Sequence, residues 1–437
     1  MNRRGRITYA LPYFGIAIVS YVTTTWLTYF YAPPEGAGHA QLLPAAWAGA
    51  ALAVGRVVDA VTDPLVAAWS DRTRSASGRR LPFMRYGAVP FALTFILMWT
   101  PPAGAAPAVR FLYLATMTSL FYAAYTIYVA PYLALLPEIA ETREERVALT
   151  AWQGGFNVAG VSVGGGSAAL LIGALGFGGM AATLAAAALL ALLWPAFVLR
   201  ENRRTGAAPA PGLFTSVRLT FANPVFRGYA AGQFFFWIAL STALLGAPYS
   251  VTVLMGGGER DAALALAVTM SSALVSFPVV ARVAARWGLR RAFRLAMGWM
   301  AVVLALWGTM AVPMGPFTPY LRGMLLFALC GPAVAALLTL PNALVAEITD
   351  TDFARTGMRR EAIYFGVQGL VVKSAVAFSA LLSTQLLQHL GYSPGRPGGV
   401  LWLGPAAALC VAVGLLIYRG SREGVRTPAP RSAGVGT

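Results

Sequence analysis

The sequence predicts an all-α membrane protein with twelve transmembrane helices in two six-helix bundles, and three observations carry that expectation. Of 437 residues, 58% are hydrophobic and only 11% charged, whereas soluble domains carry about 25% charged residues. Apolar runs of about 20 residues or more recur along the whole chain, each long enough to cross a hydrocarbon layer about 30 Å thick. The two halves also echo each other. PYLALLPEIAETREERVAL from Pro131 resembles PNALVAEITDTDFARTGMRREAI from Pro341, which sets Glu138 and Glu347 209 residues apart. DRTRSASGRR, ending at Arg80, resembles VAARWGLRR, ending at Arg291, at an offset of 211. Arg- and Glu-rich loops explain the composition of these segments but not their shared offset, and a six-span repeat implies two bundles with a solute site between them at mid-membrane depth.

Taken in order, the first span covers 8–31. Arg3, Arg4 and Arg6 precede it, but the apolar run is too long for a removable signal and lacks a small-residue cleavage site. The second span, 42–69, holds three charges and leads into the basic loop before the third, 83–102. The fourth is 108–137. In the fifth, 149–174, GVSVGGGSAALLIG reads as small residues that let helices approach closely. The sixth, 179–200, completes an N-terminal bundle over 1–200. Residues 201–224, rich in Pro, Gly and Ala at their start, are expected to be a cytoplasmic linker loop that builds no core. Spans at 225–254, 262–286, 293–313, 320–346, 363–390 and 398–419 form a C-terminal bundle over 225–419, and 420–437 is expected to be a disordered cytoplasmic tail.

The net charge of +17 has a membrane explanation. Apart from Arg56 and Lys373, only Arg110, Arg260, Arg322 and Arg396 fall on one side of this layout, and the other 27 of the 33 basic residues fall on the opposite side. The positive-inside rule then puts both termini in the cytoplasm, in a multi-pass protein of the cytoplasmic (inner) membrane. Nucleic acid is not expected as a partner; the bilayer and a small-molecule solute are, and the chain is expected to be a monomer. Cys330 and Cys410 lie within spans and read as packing residues. There is no Walker-type phosphate loop, and His39 and His389 make no metal-ligand spacing. Enzyme chemistry has no supporting constellation.

The charges inside the membrane carry the functional reading. An ionisable group at a helix centre costs about 2.5 to 3.5 kcal/mol on insertion scales, so Arg56, Asp59 and Asp63 need one another or a wet cavity. Asp59 and Asp63 are four residues apart and Arg56 three before Asp59, which puts all three on one helix face. Two carboxylates and one guanidinium remain net negative and suit a hard cation or a proton. An Arg56–Asp59 pair that merely held the bundle together would leave Asp63 unpaired. Lys373 is the chain's only lysine and falls about ten residues into the eleventh span, where an amine can take part in charge exchange with the ion. No cofactor is expected, and no metal beyond a transported Na+; the coupling ion is Na+ or H+.

At the end of the second span, Asp71 is followed by Arg72, Gly78, Arg79 and Arg80. A carboxylate at a helix C-terminus opposes the helix dipole and needs a basic partner, so this loop reads as a cytoplasmic gate. The echoed segments add Glu138, Arg143, Glu347, Asp350 and Arg360 to it.

Arg56, Asp59 and Thr62-Asp63-Pro64, the loop from Asp71 to Pro82, and Asp350, Asp352, Gly357 to Glu361 and Lys373 together resemble the glycoside-pentoside-hexuronide:cation symporters of the major facilitator superfamily. The resemblance covers nearly the whole chain and implies the major facilitator fold. It also implies that Asp59, Asp63 and Thr126 bind the coupling cation, with Lys373 nearby and Thr62 influencing cation choice. The sugar side departs: where the melibiose carrier of that family has sugar-binding aspartates, this chain has Ala17 and Val129, and Gln153 falls near its fifth-span arginine. Neutral and aromatic residues remain as cavity candidates, namely Tyr21, Trp26, Tyr125, Tyr128, Trp152, Gln153 and Asn157.

These readings converge on cation-coupled symport of a sugar, glycoside or other small organic solute by alternating access. A lysophospholipid or amphiphile transporter, or a proton-coupled exporter, would use the same fold. A membrane receptor that transports nothing would leave the paired carboxylates without a purpose.

Overall fold

The computed structural model describes residues 3–73, 75, 77–140, 142–199, 213–312, 318–356 and 360–420. α1 (Arg3–Ala10) and α2 (Pro12–Tyr31) form the first crossing. Pro12 opens α2 at a position where its missing N–H is no loss. α3 (Ala45–Arg72), α4 (Leu81–Leu97) and α5 (Pro107–Ile139) follow.

The fifth and sixth predicted spans share one helical run, α6 (Arg143–Val198), broken at Gly176, whose φ of 70° and ψ of 177° are not helical. The chain folds back there. Gly160 packs on Phe14 and Ala17 while Ala188 packs on Gly15, and 28 residues of unbroken helix would hold those two contacts about 42 Å apart. The positive φ favours glycine, and the small residues around Gly160 let α6 lie against the backbone of α2.

A short helix, α7 (Leu213–Phe221), lies within 201–224, where a loop was expected. Its sequence spaces Leu213, Val217 and Phe221 four apart, and Val217 and Phe221 pack against the core. α8 (Pro224–Tyr249) is capped by Asn223, whose Oδ1 accepts from the backbone N–H groups of Val225 and Phe226. It runs on into a π-helical turn, Ser250–Leu254. α9 (Glu259–Trp287), α10 (Leu289–Ala305) with a 3-10 turn (Trp307–Ala311), α11 (Pro319–Thr356), α12 (Glu361–Leu390) and α13 (Gly398–Gly420) complete the described chain. The tail, 421–437, lies outside the described residues.

Nine of the described helices are long and apolar enough to span a membrane, and α4 is a shorter apolar one. With α6 folded on itself and α3 included, the chain makes twelve crossings of a multi-pass integral membrane protein. Their packing repeats. In the first half α3 lies on α5, α4 on α5 and α6, and α2 on α6; in the second, α9 lies on α11, α10 on α11 and α13, and α8 on α12 and α13. Between halves, α3 meets α12, α6 meets α9 and α2 meets α8. Each of these pairings has its counterpart six crossings later, the arrangement expected of a duplicated six-helix unit.

α3 shows how a charged helix fits this plan. Val57, Val61, Leu65 and Trp69, four apart, are exposed where lipid would lie, whereas Asp59 is fully buried. The apolar stripe faces outward and the ionic stripe faces the other half of the protein.

Candidate cation and solute site

α3 supplies Arg56, Asp59, Thr62 and Asp63, α5 supplies Tyr122, Tyr125 and Thr126, and α12 brings Lys373 from the second half. The Lys373 ammonium donates to Asp59 Oδ1 at 2.8 Å and to Asp63 Oδ2 at 2.6 Å. The Thr126 hydroxyl lies 3.0 Å from Asp59 Oδ1 and 3.0 Å from Asp63 Oδ1. Having one proton, it donates to one carboxylate at a time. Thr62 Oγ1 donates toward Val58 O at 2.9 Å and sits 3.3 Å from Thr126 Oγ1, behind the first ring of oxygens.

Arg56 is placed differently. Its Nη1 lies 3.7 Å from Asp59 Oδ2, too long for a hydrogen bond, and its guanidinium stands 4.3 Å over the Tyr122 ring. Asp59 Oδ2 is consequently a buried carboxylate oxygen with no hydrogen bond, an unusual state that leaves lone pairs for a cation. Lys373 also lies 5.9 Å from the Tyr125 ring centroid. Asp59, Asp63, Thr126, Thr62, Lys373 and Arg56 are thus all brought together. The resemblance places Lys373 near this site; in the structure it pairs with both aspartates, which leaves neither unpaired. A hard monovalent cation suits this set of oxygens; the ammonium occupies the place where the oxygens converge.

Beside the cluster is a cavity of about 20 Å³ lined by Thr23, Thr24, Arg56, Tyr122, Ser241 and Ser379, with Leu52, Leu245, Val376 and Ala380 as its apolar wall. It has room for about one water. Both halves contribute to it, as a duplicated fold requires.

The cavity residues expected from sequence lie elsewhere. Trp26 is fully buried against Tyr29. The Tyr128 hydroxyl donates to Leu192 O at 2.8 Å, and Gln153 donates to the hydroxyls of Tyr9 at 3.2 Å and Tyr132 at 3.0 Å. These groups hold the first half together internally. Tyr21 is buried with its hydroxyl unbonded, against α6 at Gly165. Trp152 is half-buried on Phe156 and Asn157 is half-buried. Of the seven, Tyr125 alone stands beside the ion cluster. The aromatic signal failed because rings fill the bundle interior as readily as they line a cavity; the hydroxyls of Thr23, Thr24, Ser241 and Ser379 gave no signal of their own.

At the basic face, where the arginine-rich connections lie, Gly78 has a φ of 101° and its carbonyl accepts from Ser75 Oγ at 2.7 Å. Arg80 is buried and donates to Ser70 Oγ at 3.2 Å, tying the loop to the end of α3. Arg72 is exposed and Arg79 half-buried. The side chains of Asp71, Glu138 and Arg143 lie outside those described. Glu347 pairs with Arg290 at 3.0 Å, joining the second members of both echoed segments. Asp350 is exposed, and the buried acid of that motif is instead Asp352, 3.1 Å from Arg355 and 4.0 Å from Arg360. The signal was available: Val345, Ile348, Thr349 and Asp352 fall on one helical face and all are buried.

The opposite face is fastened between halves. His39 Nε2 meets Glu259 Oε1 at 2.8 Å, Gln41 donates to the Tyr392 hydroxyl at 2.8 Å, and the Tyr249 hydroxyl donates to Ala32 O at 2.7 Å. Burial, and then the nearby Glu35 carboxylate, push the Tyr392 phenol above its ordinary range, so it meets Gln41 as a neutral hydroxyl. No cluster of three or more His, Cys, Asp or Glu occurs among the described residues.

Twelve crossings in duplicated halves, with an ion cluster shared between them, define a secondary membrane transporter, not an enzyme. Residues 8–416 match the family model described as MFS/sugar transport protein, and the chain belongs to that family. It is 24% identical to an uncharacterised symporter of Synechocystis, covering 92% of this chain and 89% of that one. It is 26% identical to a putative glycoside/cation symporter of Escherichia coli, over 90% and 84%, and 25% identical to a sodium-dependent lysophosphatidylcholine symporter of Danio rerio, over 84% and 77%. The structure of the nucleoside transporter NupG superposes with a TM-score of 0.69 at 11% identity, covering 96% of this chain and 100% of that one. A bacterial homologue of the lysosomal transporter Spinster does so at 0.67 and 13%, over 96% and 98%. These two likenesses concern the fold.

Proposed function

We propose that this protein is a cation-coupled symporter that carries a small organic solute into the cell, with Na+ or H+ as the coupling ion, from a position in the cytoplasmic membrane with both termini inside. The observation that carries the reading is the Lys373 ammonium held by Asp59 and Asp63. An ammonium so placed competes with a cation for the same oxygens, and it reaches them from the opposite half. Cation binding therefore releases a tie between α12 and α3, which is the kind of two-state contact that alternating access requires. In this reading the basic face is cytoplasmic and its loops form the inner gate, while the His39–Glu259 contact closes the outer one.

A sugar or glycoside is supported by the family and by the Escherichia coli relative's printed name. The hydroxyl-lined cavity at Arg56 fits a hydroxylated solute better than a lipid tail. The test is accumulation in proteoliposomes. Asp59→Asn keeps the shape but removes the fully buried charge, and its vesicles are expected to equilibrate solute without concentrating it. Accumulation against a gradient by that variant would overturn the assignment.

A further inference from the structure

We propose that the groove between α3, α4 and α5, on the outer surface of the first half, binds an anionic phospholipid, with an acyl chain in the groove and the phosphate at Arg72. The site is separate from the ion cluster and serves whichever solute is carried. The groove has a volume of about 350 Å³ and is lined by Trp69 of α3, Phe83, Tyr86 and Pro90 of α4 and Ile127 of α5. It exists because Gly87 and Ala124, which lie at its base, are too small to fill it. The Trp69 ring stands edge-on to Phe83 with centroids 5.0 Å apart, which fixes one wall. Trp69 continues the stripe of Val57, Val61 and Leu65, and Trp69 and Tyr86 are 61% and 80% exposed. The groove therefore opens to the bilayer, not to the space between the halves. Pro82 and Thr73 lie at one end of it, and Pro90 is eight helical residues, about 12 Å, further along α4. That length approaches the depth of one leaflet, half of a hydrocarbon core about 30 Å thick.

Lipid tails are as apolar as the side chains they touch, so no acyl chain is preferred in the groove for its hydrophobicity alone. Which lipid stays there is decided at the rim. Trp69 and Tyr86 are the kind of exposed aromatic pair that membrane proteins place at headgroup level. Arg72 follows Trp69 by three residues, one turn further along the same face of α3, and is exposed. The lipid-facing stripe thus ends in a guanidinium beside Thr73, at the end of the groove. The connection that begins there, 71–80, contains four arginines and one aspartate. Arg80 is committed to Ser70 at 3.2 Å, and Arg85 is turned toward α6, where it donates to Ala196 O at 2.8 Å. Arg72 is the guanidinium that shares a face with Trp69, and its planar fork can take two phosphate oxygens at once. A zwitterionic lipid brings its own cation to that phosphate, whereas phosphatidylglycerol brings none. One arginine at a membrane surface then favours the anionic lipid by about fivefold.

The test uses the full-length protein in nanodiscs and reads quenching of tryptophan fluorescence by acyl-brominated lipid. Brominated phosphatidylglycerol is titrated into plain phosphatidylcholine, and brominated phosphatidylcholine into plain phosphatidylglycerol. The Trp69 signal is the difference between wild type and Trp69→Phe. Trp402, 57% exposed on α13 and outside the groove, is isolated in the same way by Trp402→Phe and reports ordinary contact with bulk lipid. We expect Trp69 to be half-quenched at a mole fraction of phosphatidylglycerol about fivefold lower than that of phosphatidylcholine, and Trp402 to show no preference. Arg72→Gln should bring the ratio at Trp69 to about one and leave the depth of quenching at saturation unchanged, because either acyl chain still fills the groove. The proposal is overturned if Trp69 follows mole fraction equally for both lipids, if Trp402 shows the same preference, or if the preference survives Arg72→Gln.

Discussion

Replacing Lys373 by methionine tests the exchange between ammonium and cation directly. The substitution keeps length and packing and removes two charge-assisted hydrogen bonds, 2.8 Å to Asp59 and 2.6 Å to Asp63. Breaking a buried ion pair costs about 3 to 5 kcal/mol. Because the Asp63 side chain is 43% exposed while that of Asp59 is 0% exposed, the lower end applies, about 3 kcal/mol, and it falls on the cation-free protein. A cation entering the variant no longer displaces an ammonium, so its dissociation constant should drop by about a hundredfold. The assay is the unfolding midpoint of the detergent-purified variant, titrated with Na+ at pH 8 and with protons from pH 8 to pH 5. We expect a lower midpoint than wild type without the ion and a half-saturating concentration about two decades lower for whichever ion couples. Solute-driven ion flux should be lost, because the tie to α12 no longer reports occupancy. If the cation-free midpoint and both ion affinities matched wild type, Lys373 would be only a scaffold between α3 and α12, and the exchange argument would fail.

Three further outcomes follow from the same geometry. Thr126→Val keeps the shape but removes the hydroxyl shared by both aspartates, costing about 1 kcal/mol; the ion concentration for half-maximal uptake should rise about fivefold, with Thr126→Ser near wild type. Glu259→Gln weakens a partly exposed pair worth less than about 1 kcal/mol, so labelling of a cysteine at Ala37 should speed up by about twofold to fivefold, and an unchanged rate would exclude the His39–Glu259 contact as a gate. A Cβ at Gly49 would collide with the buried Thr384 of α12, so Gly49→Ala should hold the two halves apart at that face; uptake is expected to fall at least tenfold while ion binding to the detergent-purified protein stays within twofold.

How far the primary structure carries can be judged on α3. Its ion face was legible because helical period alone puts Arg56, Asp59 and Asp63 on one side, and burying three charges in an apolar run has few explanations. The twelve crossings and the repeat were legible for a similar reason: length, apolarity and a shared offset are properties of the chain itself. Where residues were judged by type, the reading was poorer. Trp26, Tyr128 and Gln153 were cavity candidates as aromatic or amide groups inside spans, yet the folded protein uses them to pack and brace its first half. Asp350 and Asp352 look alike by residue type, and only the helical face that Asp352 shares with Val345, Ile348 and Thr349 sets the buried acid apart.

By itself, then, the sequence determined that this chain crosses a membrane in two related halves and carries a charged face on its second crossing. Tertiary structure alone decided what meets that face. Lys373 lies 310 residues beyond Asp63, and nothing local in either segment encodes their encounter. It depends on how α12 docks on α3, a contact made between halves. Within the same cluster Arg56 keeps 3.7 Å from Asp59, stands over the Tyr122 ring and lines the cavity. A helix period specifies a face, but the partner across from that face is set by packing between elements far apart in the chain.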